Sequence, residues 1–168
     1  MEVEEEWIQL EEFEFISKGE DVGYLHPSNL EILRSLCPKP PRQKQKHRLL
    51  LSRANQRRSY PGEKELSLLL KDYGFETTDP SNLSWSNQID LFSNVEYVVA
   101  AHGGAITNLV FGTKVKLLEL MPLNRINRCF EWQSYIANHE YKVYLYEPEK
   151  TFENKEVMKL AKEFFELW

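Results

Sequence analysis

Apolar residues along this chain follow two rhythms in turn. Short, nearly unbroken runs, "RLLLS" (48 to 52), "VEYVVAA" (95 to 101), "VKLLELM" (115 to 121) and "YKVYLYE" (141 to 147), have the length and composition of buried strands. A shorter strand is expected near "FETTD" (75 to 79). Between these runs the spacing lengthens to the helical repeat. "GEKELSLLLKDYG" (62 to 74) sets Leu66, Leu69, Leu70 and Tyr73 on one helical face and reaches a stop signal at Gly74. Further helices are expected at about 86 to 94, with Ile89, Leu91 and Phe92, at about 105 to 112, around 127 to 138, and from about 153 to 167. Strand and helix in alternation predict an α/β, Rossmann-like domain: a mainly parallel sheet of about five strands with helices on both faces, connected right-handedly.

Upstream the rhythm is irregular. "HPSNLEILRSL" (26 to 36) offers Ser28 as an N-cap with Glu31 three positions later, a capping box opening a short helix. "CPKPPRQKQKH" (37 to 47) interleaves prolines with basic residues and reads as a solvated, extended linker. The expected division is therefore an N-terminal extension and linker over residues 1–46 and a Rossmann-like domain over 47–168.

Composition narrows the picture. With 168 residues and 42% hydrophobic content, the chain can bury one sizeable core but is short for two full domains. A net charge of −5 argues against a broad nucleic-acid-binding face, which needs clustered Lys and Arg. Cys37 and Cys129 stand far apart without a C-x-x-C partner, so neither a zinc site nor a disulfide framework is suggested, and a reducing compartment fits. No window approaches the roughly 18 uninterrupted apolar residues of a membrane span, and the acidic start "MEVEEEWIQLEEFEF" has neither region of a signal peptide. A cytoplasmic protein, or one peripheral to the membrane in a bacterial host, is the expectation.

Three places hold candidate chemistry. In "LLLSRANQRRSYPGEKEL" a buried strand ends at Ser52 and runs into a loop with Arg53, Arg57 and Arg58. Guanidiniums at the carboxyl end of a strand can clamp a diphosphate through planar, permanently charged donors; the alternative is a solvated basic loop. In "VEYVVAAHGGAITNLVF" the strand climbs to His102, breaks at Gly103 and Gly104, and resumes as an apolar segment containing Thr107 and Asn108. Glycines there let a ligand approach the backbone, and the position between strand and helix is where open α/β sheets hold ligands. A structural histidine is the competing reading. Glu119, inside the apolar strand "KLLELM", must find partners or leave the core: sugar hydroxyls are suitable donors, and so is a basic neighbour. The pairs Glu2/Glu4, Glu12/Glu14 and Glu147/Glu149 read as solvated edges.

The order of these segments, "LLLSRANQRRSYPGEKEL", "LSWSNQIDLFSNVEYVVAAHGGAITNLVF", "KLLELMP" and "NRCF", resembles the catalytic domain of glycosyltransferase family 61 over about residues 24 to 147. That family usually reads His-Gly-Ala-Gly-Leu-Thr-Asn where this chain reads His102-Gly103-Gly104-Ala105-Ile106-Thr107-Asn108. The family's arginine pair falls on Arg53 and Arg58, with Gly62 where an Asn is usual; its segment glutamine matches Gln88 and its strand glutamate Glu119. The resemblance implies the C-terminal half of a GT-B enzyme, which binds a nucleotide-sugar donor, taken as UDP-linked, for inverting transfer to a glycan or protein acceptor. No cofactor and no metal are implied, in keeping with the absence of an Asp-x-Asp motif from the Rossmann-like region.

By the same resemblance Arg53 and Arg58 would meet the diphosphate. The turn from Gly103 through Gly104 and Thr107 to Asn108 would meet the phosphates or transferred sugar, Glu119 the nucleoside hydroxyls, and His102 the donor, with Gln88 also at the site. His102 is the candidate catalytic residue in this chain, although the family architecture puts the base in the acceptor half. Because the chain matches one half, the expectation is a truncated or split enzyme completed by an acceptor-domain subunit. The alternative is a non-catalytic nucleotide-sugar-binding module acting with a partner subunit. A Rossmann dehydrogenase is a third reading, but no clean G-x-G-x-x-G follows the first core strand.

Overall fold

The computed structural model describes residues 24–36, 47–53, 59–149 and 154–167. The expected linker at 37 to 46, and Arg57 and Arg58 of the arginine loop, lie outside them. The elements are α1 (Pro27–Leu36), β1 (His47–Leu51), α2 (Glu63–Lys71), β2 (Glu76–Thr78), α3 (Trp85–Ser93), β3 (Val95–Ala101), β4 (Lys116–Pro122), α4 (Cys129–Ile136), β5 (Glu140–Tyr146) and α5 (Lys155–Phe165). Short 3-10 turns at Pro80–Asn82 and Leu123–Arg125, and a longer 3-10 segment at Gly104–Phe111, complete them.

All five strands are parallel, in the order β2-β1-β3-β4-β5. The alternation of β3 explains how one sheet makes two cores. Val98 and Ala100 face a layer with Phe92 of α3, Ile106 and Leu109 of the 3-10 segment, and Phe130 of α4. Val99 and Ala101 face the opposite layer, with Leu66 and Leu70 of α2 and Val157, Ala161 and Phe165 of α5. Each large side chain so buried contributes about 1.5 to 3 kcal/mol relative to exposure, so the two layers are the main source of stability. A third, smaller cluster docks α1: Leu30 packs on Val110 and Ala137. Arg34 of α1 donates from Nε to the Val110 carbonyl (2.7 Å) and from Nη2 to that of Gly112 (3.0 Å).

Three local expectations are corrected. Ser28 lies inside α1, whose first turn is instead capped by His26: its carbonyl accepts from Asn29 and Leu30, and its Nδ1 accepts from the Ser28 N–H at 3.3 Å. Pro27 then takes the first helical position, where its missing N–H costs nothing. Leu69 is 37% exposed, because α2 buries only the stripe through Leu66 and Leu70. The segment expected as a helix from about 105 to 112 is 3-10. Side chains from elsewhere occupy its carbonyls: Gln133 Nε2 donates to Ile106 (3.2 Å) and Thr107 (3.3 Å), and His139 Nε2 to Leu109 (2.9 Å). With Arg34 on Val110, carbonyls that i→i−4 bonds would use are held by tertiary partners. Gly74 does end the α2 turn, at φ 76° in the left-handed region.

Candidate functional site

The strand order makes β1 and β3 neighbours, with the chain leaving β1 toward the β2 edge and β3 toward the β4 side. This is the topological switch point, where the two connections diverge and open a crevice at the carboxyl ends. On the β1 side, Glu63 at the first position of α2 holds the strand end. Its Oε1 accepts from Ser52 Oγ at 2.5 Å, and its two oxygens accept from the Arg53 N–H at 3.2 and 3.1 Å. Those donors, and the positive end of α2, offset the cost of burying the carboxylate. Arg53 is itself 7% exposed and reaches across to β3, where Nη1 donates to the His102 carbonyl at 2.5 Å. A Cβ on Gly103 would collide with that guanidinium, so the glycine is needed for close approach.

On the β3 side, the His102 N–H donates to the Leu120 carbonyl at 2.9 Å, extending the β3–β4 ladder by one residue. Strand alternation then turns the ring into the Phe130 layer, with the two ring centroids 5.2 Å apart. His102 Nδ1 lies 2.5 Å from Oε1 of Glu119, which is fully buried. Tyr141, at the start of β5, donates its hydroxyl to Glu119 Oε2 at 2.7 Å. Burial pushes the Tyr141 hydroxyl well above the ordinary tyrosine range, and the Glu119 charge reinforces the effect, so the group remains a donor. The Cys129 thiol, half-buried nearby, is pushed up by the same two causes and is not poised as a nucleophile.

With Nδ1 committed to Glu119, the ring atom that His102 can offer a ligand is Nε2. His102 borders a cleft of about 460 Å³, which Ser59, Pro122, Asn124, Arg125, Tyr146 and Pro148 also line. That size suits a small-molecule ligand. Ser59 directly follows the arginine loop in sequence, and Asn124 and Arg125 belong to the turn after β4. Burial pushes the Tyr146 hydroxyl up, while the Arg53 charge works the other way.

The expected site residues therefore divide. Arg53, His102 and Gly103 meet at the crevice. Glu119 sits behind His102 rather than at a ligand surface, and both its oxygens have protein donors, so it is not placed to receive nucleoside hydroxyls. Gly104 and Thr107 are exposed at the start of the 3-10 segment. Gln88 and Asn108 bind each other: Asn108 Nδ2 donates to Gln88 Oε1 at 2.8 Å, and Gln88 Nε2 to the Leu83 carbonyl at 3.0 Å, which ties the segment to α3. Arg58 lies outside the described residues. Among the described residues no three His, Cys, Asp or Glu side chains converge as a metal-binding group, and no helix is long and apolar enough to cross a membrane.

Sequence reasoning missed Tyr141, Asn124 and Arg125. Tyr141 shares a face with Glu119 only through the β4–β5 register, which pairs Leu117 with Tyr141 and Glu119 with Val143. The turn "PLNR" could have been found by applying the rule for strand carboxyl ends to β4 as well as to β1 and β3.

A family model described as Glycosyltransferase 61 matches residues 3–122, a span that contains Arg53, His102 and Glu119. No curated protein matches the chain.

Proposed function

The chain belongs to glycosyltransferase family 61, and from that membership we propose that it forms the donor-binding half of a GT-B enzyme, transferring a sugar from a UDP-linked donor to a glycan or protein acceptor with inversion. The observation that carries this reading is the cleft at the carboxyl ends of β3, β4 and β5, bordered by a histidine whose orientation a buried carboxylate holds. In the reaction the acceptor oxygen bonds to the anomeric carbon as the bond from that carbon to the diphosphate oxygen breaks. The acceptor proton passes to a base, and negative charge grows on the departing diphosphate.

His102 offers Nε2 to the donor, and the exposed start of the 3-10 segment offers backbone N–H groups to its phosphates. Arg53 acts from beneath, holding the His102 carbonyl and so the shape of the turn. Its charge, acting from behind the turn without touching the ligand, adds to that of Arg58 in the positive potential that takes the place of a divalent cation. Removing a fixed donor to developing charge typically costs on the order of 3 kcal/mol of transition-state stabilisation.

The base comes from an acceptor domain or a partner subunit. Among the seven described residues that line the cleft none is a carboxylate, in keeping with a base from outside the described residues. The same observation favours a second reading, a nucleotide-sugar-binding module that works only with a partner subunit.

Calorimetric titration of the chain with UDP, GDP, CDP and their sugar conjugates, in chelator and then with manganese, tests the proposal. Binding of a nucleoside diphosphate in chelator is expected. Binding only with manganese would refute the metal-free reading, and no binding in either condition would refute the donor site. A transfer assay separates the two readings, since turnover when an acceptor domain is added distinguishes the enzyme from the binding module.

A further inference from the structure

Arg53 presents a difficulty for any direct clamp on an anion. It is 7% exposed, and its Nη1 is already engaged by the His102 carbonyl, so turning its donors to a ligand would dismantle the turn that holds His102. The cleft has another guanidinium. Arg125 stands in the short 3-10 turn after β4, exposed to solvent, and lines the same cleft as His102. Its side chain makes no hydrogen bond or ion pair with any described residue.

Its neighbour in sequence behaves oppositely. Arg128 is taken up by both oxygens of Glu131, at 2.5 and 2.8 Å, a bidentate pair that consumes its fork of donors. Asn124 also lines the cleft and likewise makes no side-chain hydrogen bond with a described residue. Two donor groups without a partner among the described residues, one oriented histidine and no carboxylate among the described lining residues make this wall of the cleft attractive to an anion.

We propose that Arg125, assisted by Asn124, is the side-chain anchor for the diphosphate of the donor, with Arg53 a positioning residue beneath the turn. The assignment rests on the donor-site reading above for the identity of its ligand, though not for the presence of an anion site. A guanidinium on a short turn after a proline can reach over the cleft mouth, and a planar fork matches two phosphate oxygens.

Isothermal calorimetry with UDP, inorganic pyrophosphate and uridine, on the wild-type chain and on R125A, R125K, N124A and R128A, tests this. R125A should weaken UDP and pyrophosphate alike, by roughly tenfold to a hundredfold, the range for charge-assisted hydrogen bonds. R125K should recover part of the loss, N124A should lose less, and R128A should match wild type. Uridine affinity and the thermal midpoint should not change in R125A, because the side chain is exposed and pairs with no described residue. Wild-type affinity for UDP or for pyrophosphate in R125A would overturn the assignment. If the wild type binds pyrophosphate through Arg125 but no nucleoside diphosphate, the anion site stands and the donor reading falls. If it binds neither, both fall.

Discussion

His102 and Glu119 come from adjacent parallel strands and meet in the interior with Nδ1 and Oε1 2.5 Å apart. The contact commits Nδ1 and leaves Nε2 as the ring nitrogen open to a ligand, and it needs a carboxylate with no exposure at all. Such a group is tolerated only while its oxygens keep their donors. Glu119→Ala should therefore cost about 3 kcal/mol of folding stability, whereas Glu119→Gln, which keeps shape and one acceptor, should cost much less. Urea unfolding of both variants provides the comparison, and equal losses would show that volume rather than hydrogen bonding matters at this position.

Tyr141 is expected to act through Glu119. Removing its hydroxyl in Tyr141→Phe leaves Oε2 without that donor and should cost about 1 to 2 kcal/mol. If the network orients His102, the same change should also lower nucleoside diphosphate affinity although Tyr141 does not line the cleft. Unchanged affinity beside a clear stability loss would make the tyrosine purely structural.

Gly103 and Gly104 should differ sharply. A methyl group on Gly103 strikes the Arg53 guanidinium, while one on Gly104 meets nothing within 4 Å. Gly103→Ala is expected to destabilise by about 1 to 3 kcal/mol, and Gly104→Ala to be near neutral. A double-mutant cycle makes the cause explicit: in an Arg53→Ala background the cost of Gly103→Ala should shrink, and strictly additive losses would contradict the collision.

His139 makes folding stability sensitive to acid. Its Nδ1 accepts from the Val115 N–H at 3.2 Å and its Nε2–H donates to the Leu109 carbonyl, so the fold holds one neutral tautomer. Burial lowers its pKa below the ordinary 6.5, outweighing the carbonyl contact. The sign follows: as pH falls through about 6.5 the unfolded chain takes up a proton that the folded ring refuses, so stability drops until the folded ring also protonates. Denaturation midpoints between pH 8 and pH 5 should show this loss, and His139→Gln should flatten that part of the curve. An unaltered slope in the variant would assign the acid sensitivity to another group.

The sequence alone determined the elements whose signal is local. The run from Val95 to Ala101 is a strand over its whole expected length, because a seven-residue run that is small, apolar or aromatic apart from Glu96, bounded by Asn94 and a His-Gly-Gly break, leaves little else to form. The α/β class, the parallel sheet and the nearness of Arg53 to His102 follow from strand alternation and the rule for strand carboxyl ends. Tertiary structure decided what depends on partners distant in sequence. Segment 104–111 reads as an ordinary helix until Gln133, His139 and Arg34 take its carbonyls and leave it 3-10. Glu119 is able to receive a ligand by residue type. The β4–β5 register brings Tyr141 to its face, and the extra β3–β4 pairing brings His102, so its oxygens are spent in the core. Arg53 and Arg125 are the same amino acid, each just beyond the end of a strand. One is buried under a backbone turn and the other lines the cleft exposed and without a partner among the described residues, because burial and hydrogen bonding are properties of the packed chain rather than of residue identity.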